Sequence, residues 1–320
     1  MLKRSLIIVS IILLLPVCCF AVTQNEYDQV VAQRDALYQQ LINAGIQPCI
    51  TLGQVPTREP ISETNDTDMS EFVYGSDGVS VKINAFIGSS IDVVIPQSID
   101  GLPVTMIGDK AFSRSNIKSV IIPEGVTYIG VEAFDSCRSL TSVSIPSTLS
   151  EIAENCFSGC QKLKTVLGLE HITTFGNWCF HWCRSLTNEL VFTKDTVIRW
   201  GAFDSSGISG VRFMSGNIQV EHNAFGESAI KFCYIDPACN LQFMDYINET
   251  KYGTFYECAN LLELIIPDTV TYMPNSLLNG CLRVTIYTPN GGAAEKYAQE
   301  HMMAINTKDY QEKVLTYQQK

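Results

Sequence analysis

The sequence predicts a β-rich solenoid, in which short repeated strands stack into a parallel sheet along one side of a large domain. Three observations lead there. Aromatic residues recur at Phe112, Phe134, Phe157, Phe180, Phe203, Phe225 and Phe255, with Leu278 in the same slot, in steps of 22, 23, 23, 23, 22, 30 and 23 residues. After each comes a short stretch such as "IKSVII", "LTSVSI" or "LLELII", whose first, fourth and sixth positions are apolar. That pattern suits a strand with one face on a core. Several of these stretches end on proline (Pro96, Pro123, Pro146, Pro267), which lacks an N–H and halts the ladder at that corner. One such strand cannot bury its face alone, but stacked copies can.

Other columns keep the same period. An apolar residue lies four to five places before each aromatic (Ile107, Ile129, Ile152, Phe175, Ile198, Val220). The residue just before the aromatic is small (Ala111, Ala133, Cys156, Cys179, Ala202, Ala224, Thr254), and three places after it stands Cys137, Cys160, Cys183, Cys258 or Cys281. The expected body has a parallel sheet on one side and a turn-rich second side. Eight or nine strands at about 4.8 Å make it roughly 40 Å long. The 30-residue step marks an insertion at 236–253, and the units "GVRF" and "FCYI" lack the proline.

These residues carry a resemblance. "VVIPQSIDGLPVTMIGDKAF" and the units after it resemble the bacterial surface-antigen, or BspA-like, type of leucine-rich repeat. "YGSDGVSVKINAFIGSSIDVVIP" is similar to that family's opening hairpin and "PNGGAAEKYAQEHMMAI" to its closing cap helix. The resemblance covers about residues 72–306. It implies a leucine-rich repeat fold and, by association, adhesion and host interaction.

Outside the repeats the chain reads as four further segments. "MLKR" followed by "SLIIVSIILLL" and "CFA" predicts a secretory signal over 1–21, cut after Ala21. The apolar run is too short for a comfortable membrane span. A lipoprotein cut fits Pro16-Val17 poorly, so a membrane partner enters only through lipidation at Cys18 or Cys19. Residues 22–46 predict an amphipathic helix, with Thr23 and Glu26 as a capping box and Gly45 and Pro48 as stops. Tyr27, Val31, Tyr38 and Leu41 on a heptad seam interrupted by Arg34 offer a self-association surface, or a face that packs on its own chain. Residues 47–71 read as a linker, 72–306 as the solenoid and 307–320 as a C-terminal tail. The expected location is secreted or cell-surface.

Composition narrows the chemistry. Lys and Arg number 22 against 33 Asp and Glu, a net charge of −11, which argues against nucleic acid as partner. The repeated cysteines share columns about 4.8 Å apart, whereas a disulfide needs β-carbons about 3.8 Å apart and converging, so they read as buried thiols. Cys233 and Cys239 are the pair to suspect if any bridge exists. "CFHWC" (179–183) invites a metal reading, but "CFSGC" (156–160) has the same spacing without a histidine. Cys179 and Cys183 are therefore expected inward and His181 exposed at a turn. No catalytic residue, cofactor site or metal site is expected. A hydrolase near Asp236, Asp245 and Glu249 has little support.

The solenoid face is the candidate partner surface. The outward position of successive strands reads Ile121, Ser144, Leu167, Val191, Arg212, Tyr234 and Ile265, with Phe232 beside Tyr234. Of these, Ile121, Leu167, Val191, Arg212, Phe232, Tyr234 and Ile265 form a candidate binding stripe for an extracellular protein or glycan. Two other readings stand beside it. β-Branched residues also occur there because they make good strands, and the chain could serve as a spacer that oligomerises or tethers through its N-terminal helix.

Overall fold

The computed structural model describes residues 67–244 and 251–319. The chain divides into two units, Met1–Thr64 and Asn65–Lys320, and all described residues belong to the second. The signal, the N-terminal helix with Tyr27, Val31, Tyr38 and Leu41, Cys18, Cys19 and most of the linker lie outside the described residues. Asp245 and Glu249 do too.

The outer face is a parallel ladder in two sheets. Strands Asp92–Val94, Ser119–Ile121, Ser142–Ser144 and Thr165–Leu167 form the first; Glu189–Phe192, Gly210–Phe213, Phe232–Ile235, Glu263–Ile265, Thr285–Tyr287 and Ala304–Asn306 form the second. The outward column is a true register line: Ile121 pairs with Ser144 and Ser144 with Leu167, then Val191, Arg212, Tyr234, Ile265 and Tyr287 pair in succession. The ladder breaks between Leu167 and Val191. There Gly168 turns left-handed (φ 92°) into a 3-10 turn, Leu169–His171. Leu186 and Leu190 are also spaced one residue wider than Leu163 and Val166.

The side expected to be turn-rich carries a second ladder. Strands Glu151–Ile152, Thr174–Phe175, Thr196–Ile198, Gly216–Val220 and Cys239–Phe243 run parallel, after a first group that includes Leu102–Ile107 and Tyr128–Ile129. Their apolar column, from Ile107 through Phe175 to Val220 and Phe243, is buried. Two residues per strand is too short for propensity to specify; stacking on neighbouring turns decides it. Part of the insertion is thus strand Cys239–Phe243, the outermost member of this ladder.

The third side holds the phenylalanines in one stack. Ring centroids from Phe112 through Phe134, Phe157, Phe180, Phe203 and Phe225 to Phe255 lie 4.8, 5.2, 5.3, 5.5, 5.5 and 5.7 Å apart, within the range of favourable offset stacking. Backbone bonds bind the same column. The N–H of each phenylalanine donates to the residue before the next one, from Phe112 to Ala133 O (2.7 Å) up to Phe255 to Leu277 O (3.1 Å). The residues two before and two after most of these rings are left-handed: Glu132 and Ser136 around Phe134, Trp178 and Trp182 around Phe180, Asn223 and Glu227 around Phe225.

Both ends are covered. Strands Phe72–Ser76 and Val81–Phe86 form an antiparallel hairpin whose Phe86 ring continues the stack at 5.2 Å. Thr67 N–H and Glu71 already bond to Val94 O and to Ser90, so order begins before Phe72. At the far end helix α1 (Ala293–Glu300) buries Ala294, Tyr297 and Ala298. Leu278 has no further turn to donate to, and its N–H finds the Tyr297 hydroxyl at 3.2 Å instead. The 307–320 tail contains a second helix, α2 (Tyr310–Gln318).

Candidate functional site

The stripe read from the sequence falls in two columns, one in each sheet with the break after Leu167, and only part of it meets solvent. Ile121, Leu167 and Val191 are exposed, Leu167 by 60%. Arg212 and Phe232 are half-buried. Tyr234 and Ile265 correct the expectation: both are 0% exposed, because α2 lies over them. Its Tyr310, Val314 and Tyr317 fall at i, i+4 and i+7 on one helix face. They form a second apolar cluster with Tyr234 and Ile265, against Met214, Phe232 and Tyr287.

Polar contacts ring this cluster. Glu263 accepts from Lys313 and, at 2.8 Å, from the Tyr317 hydroxyl. Arg212 donates to Glu189 and, at 3.2 Å, to the carbonyl of Tyr317. Asp236 accepts at 2.9 Å from both the Tyr234 hydroxyl and the Gln318 amide. Burial raises the Asp236 carboxyl, but the Ala238 N–H, Gln318 and Tyr234 outweigh it and hold the group below the usual carboxylate value. Burial, then the bond to Asp236, pushes the Tyr234 phenol well up. Tyr310 is pushed up to about 12, by burial first and then by the charges of Asp268 and Asp236. Asp236 is thus committed to fixing a helix to the sheet.

The cysteines are packing groups. Cys137, Cys160, Cys183, Cys258 and Cys281 are buried and free, and each thiol donates to the carbonyl of the aromatic one turn back, at 2.9–3.2 Å (Cys183 to Phe157 O, 3.2 Å). Cys233 and Cys239 are both free. Burial pushes the thiols of Cys156, Cys179 and Cys233 far above their ordinary value. In "CFHWC", Cys179 and Cys183 point inward as expected. His181 is half-buried rather than exposed, with Nε2 3.3 Å from Asp204 Oδ2. Among the described residues no group of three His, Cys, Asp or Glu side chains converges as metal ligands.

Sequence reasoning passed over one feature. Trp178, Trp182 and Trp200 are the chain's three tryptophans, and all lie on the turn edge outside the phenylalanine stack. The Trp178 and Trp200 rings are 4.5 Å apart, Trp200 and His222 5.1 Å, and His181 and Trp182 4.9 Å. The available signal was their crowding into two consecutive units.

Two parallel ladders joined by an aromatic turn and closed at both ends define a repeat solenoid with an open sheet face. The chain belongs to the BspA-type leucine-rich repeat family: six copies of that repeat match residues 105–231 and 226–301, more than half of the chain. Repeats of this family are typically non-enzymatic binding scaffolds. Among solved structures, the chain is similar to the T. pallidum leucine-rich repeat protein TpLRR, with 20% identity over 75% of this chain and 98% of that one, TM-score 0.45. It is similar also to a leucine-rich cell surface protein from Faecalibacterium prausnitzii (16% identity, 72% and 96% covered, TM-score 0.35). A leucine-rich repeat protein from Bacteroides capillosus is 31% identical over 31% of this chain and 78% of its own, TM-score 0.29. No curated protein matches the chain.

Proposed function

We propose that the protein is a secreted or surface-displayed, adhesin-like binding protein that recognises an extracellular protein or glycan through the open part of its outer sheet face, without catalysis. One observation carries this reading: Ile121 and Leu167 in the first sheet and Val191 in the second stand exposed at the same outward strand position, which runs on to Arg212, with Phe232 nearby at the margin of α2. Exposed aliphatic rows of this kind commonly mark partner sites. A rigid ladder also presents them without an ordering cost on binding. Family membership and the signal segment expected from "MLKRSLIIVSIILLL" support an extracellular location. Asp236, the described member of the weak hydrolase set, is occupied by Tyr234, Ala238 and Gln318.

The test is a binding screen of the chain against extracellular-matrix proteins and glycans, beside a Leu167→Asp, Val191→Asp variant. Both residues are exposed, so the variant keeps its core. A ligand whose binding falls by tenfold or more, about 1.4 kcal/mol, supports the sheet face. A ligand held equally well by the variant moves recognition off this face, and the absence of any ligand favours a spacer.

A further inference from the structure

We infer that the turn edge carrying Trp178, Trp182 and Trp200 is a second binding site, separate from the sheet face, for a neutral oligosaccharide. Trp182 and Trp200 are 46% and 37% exposed, although indole is among the most costly surfaces to leave in water. Trp178, Trp200 and His222 follow one another along the solenoid axis at 4.5 and 5.1 Å, the advance of one turn per ring. A row with a regular step suits an extended polymer of rings better than a rounded protein surface.

The backbone holds these indoles in a conformation that the whole repeat shares. Trp178 and Trp182 both sit at positive φ, 52° and 58°, a region unfavourable for bulky side chains. Other turns place Glu132, Asn155 and Gly201, or Ser136, Gly159 and Ser205, at the equivalent positions. Gly201 also lets the Trp178 ring lie flat, since a β-carbon there would meet its Cδ1 and Nε1 at 2.5 Å. The same backbone positions are left-handed in most turns, so what sets this edge apart is the bulk of the two side chains held there.

The polar groups supply the chemical class. Asp204 Oδ2 lies 3.3 Å from His181 Nε2, and Asp204 Oδ1 is buried. The side-chain oxygen of Asn223 is buried too, and a β-carbon on Gly226 would meet it at 2.1 Å and the Asp204 Oδ1 at 3.1 Å. Among the described residues neither oxygen receives a hydrogen, an unusual state for buried acceptors. Glu221 adds a carboxylate, with Oε2 3.0 Å from Trp200 N. Exposed aromatic faces beside the Glu221 carboxylate match a sugar, which presents an apolar C–H face and hydroxyl donors. Carboxylates on the edge and a net charge of −11 disfavour sulfated or uronate chains.

Because all three tryptophans lie here, intrinsic fluorescence reports on this edge. The full chain is titrated with cellotetraose and chitotetraose, and with a sulfated heparin tetrasaccharide as the anionic comparison. We expect a saturable emission change with at least one neutral sugar, weakened about tenfold in Trp182→Ala and in Trp200→Ala and unchanged in Leu167→Asp, which touches only the sheet-face reading. Exposure of both indoles means that neither change opens the core. The site is refuted if neither neutral sugar alters the emission, if the two tryptophan variants bind as tightly as the parent, or if the sulfated sugar alone binds.

Discussion

Tyr317 lies ring to ring on Tyr234, centroids 5.4 Å apart and planes 15° from parallel, so the C-terminal helix covers a sheet position that alternation alone would leave in water. The outer face therefore has an open stretch and a roofed one.

Val314→Asp should lift the roof. An unpaired carboxylate among Tyr234, Ile265 and Tyr310 costs several kcal/mol, while the Phe112–Phe255 stack is untouched. The expected result is fast amide exchange confined to 310–318 and new binding of an apolar dye, with the urea midpoint of the solenoid little changed. A uniform loss of protection across all turns would contradict it.

Tyr297→Phe removes the acceptor that serves the N–H of Leu278. A buried donor left without a partner costs about 1–3 kcal/mol, and the change keeps the ring. The unfolding free energy read from urea denaturation should fall by that amount; a value equal to the parent's would show that the cap works by packing alone.

Alkaline pH should weaken the fold. Burial pushes Tyr297 and Tyr310 from 10.0 up to about 12, and Tyr234 and Tyr317 further. These phenols are favoured neutral in the folded chain, so their contribution is complete below pH 10 and is lost as pH rises from 10 toward 12. A urea-midpoint profile should begin to fall near pH 9, where the thiols of Cys156, Cys179 and Cys233 ionise in the unfolded chain, and fall more steeply above pH 10, the second fall being smaller in Tyr310→Phe. A profile level through pH 12 would be inconsistent with buried phenols.

Thiol accessibility separates packing cysteines from reactive ones. Cys156, Cys179 and Cys233 should resist an aromatic disulfide reagent at pH 8 in the native protein, since burial pushes their thiols up, and should react at once in denaturant. Mass spectrometry of the labelled chain reads this residue by residue.

Ser136→Gly should stabilise. Ser136 sits at φ 57°, a conformation that costs a non-glycine residue about 1–2 kcal/mol. The added freedom of the unfolded chain offsets about 0.5–1 of this. A rise of a few tenths to about 1 kcal/mol is expected from urea denaturation.

Much of this architecture was legible in the sequence. Columns that face the core tolerate few residue types, so Phe134, Ala133 and Cys137 announce their places, and the outward line from Ile121 to Ile265 follows by alternation. What escaped depends on contacts between distant parts. Tyr310, Val314 and Tyr317 have helical spacing, but that they roof Tyr234 rests on pairings such as Tyr317 with Arg212, 105 residues apart. Two-residue strands such as Glu151–Ile152 exist only because their neighbours do. Left-handed positions held by Glu132, Trp178 or Ser205 carry no glycine to mark them. The tryptophans were visible, but their common edge was hidden until successive turns were stacked.

The amide ladder of the phenylalanine column has an evolutionary corollary. Each ring asks of the following segment one carbonyl, and the final acceptor can come from any group able to offer an oxygen, here the Tyr297 phenol. The number of turns is therefore not written into any single turn. Duplication or loss of one 22- or 23-residue unit leaves the neighbours' demands unchanged, so a lineage can lengthen or shorten this molecule like a ruler, one graduation at a time.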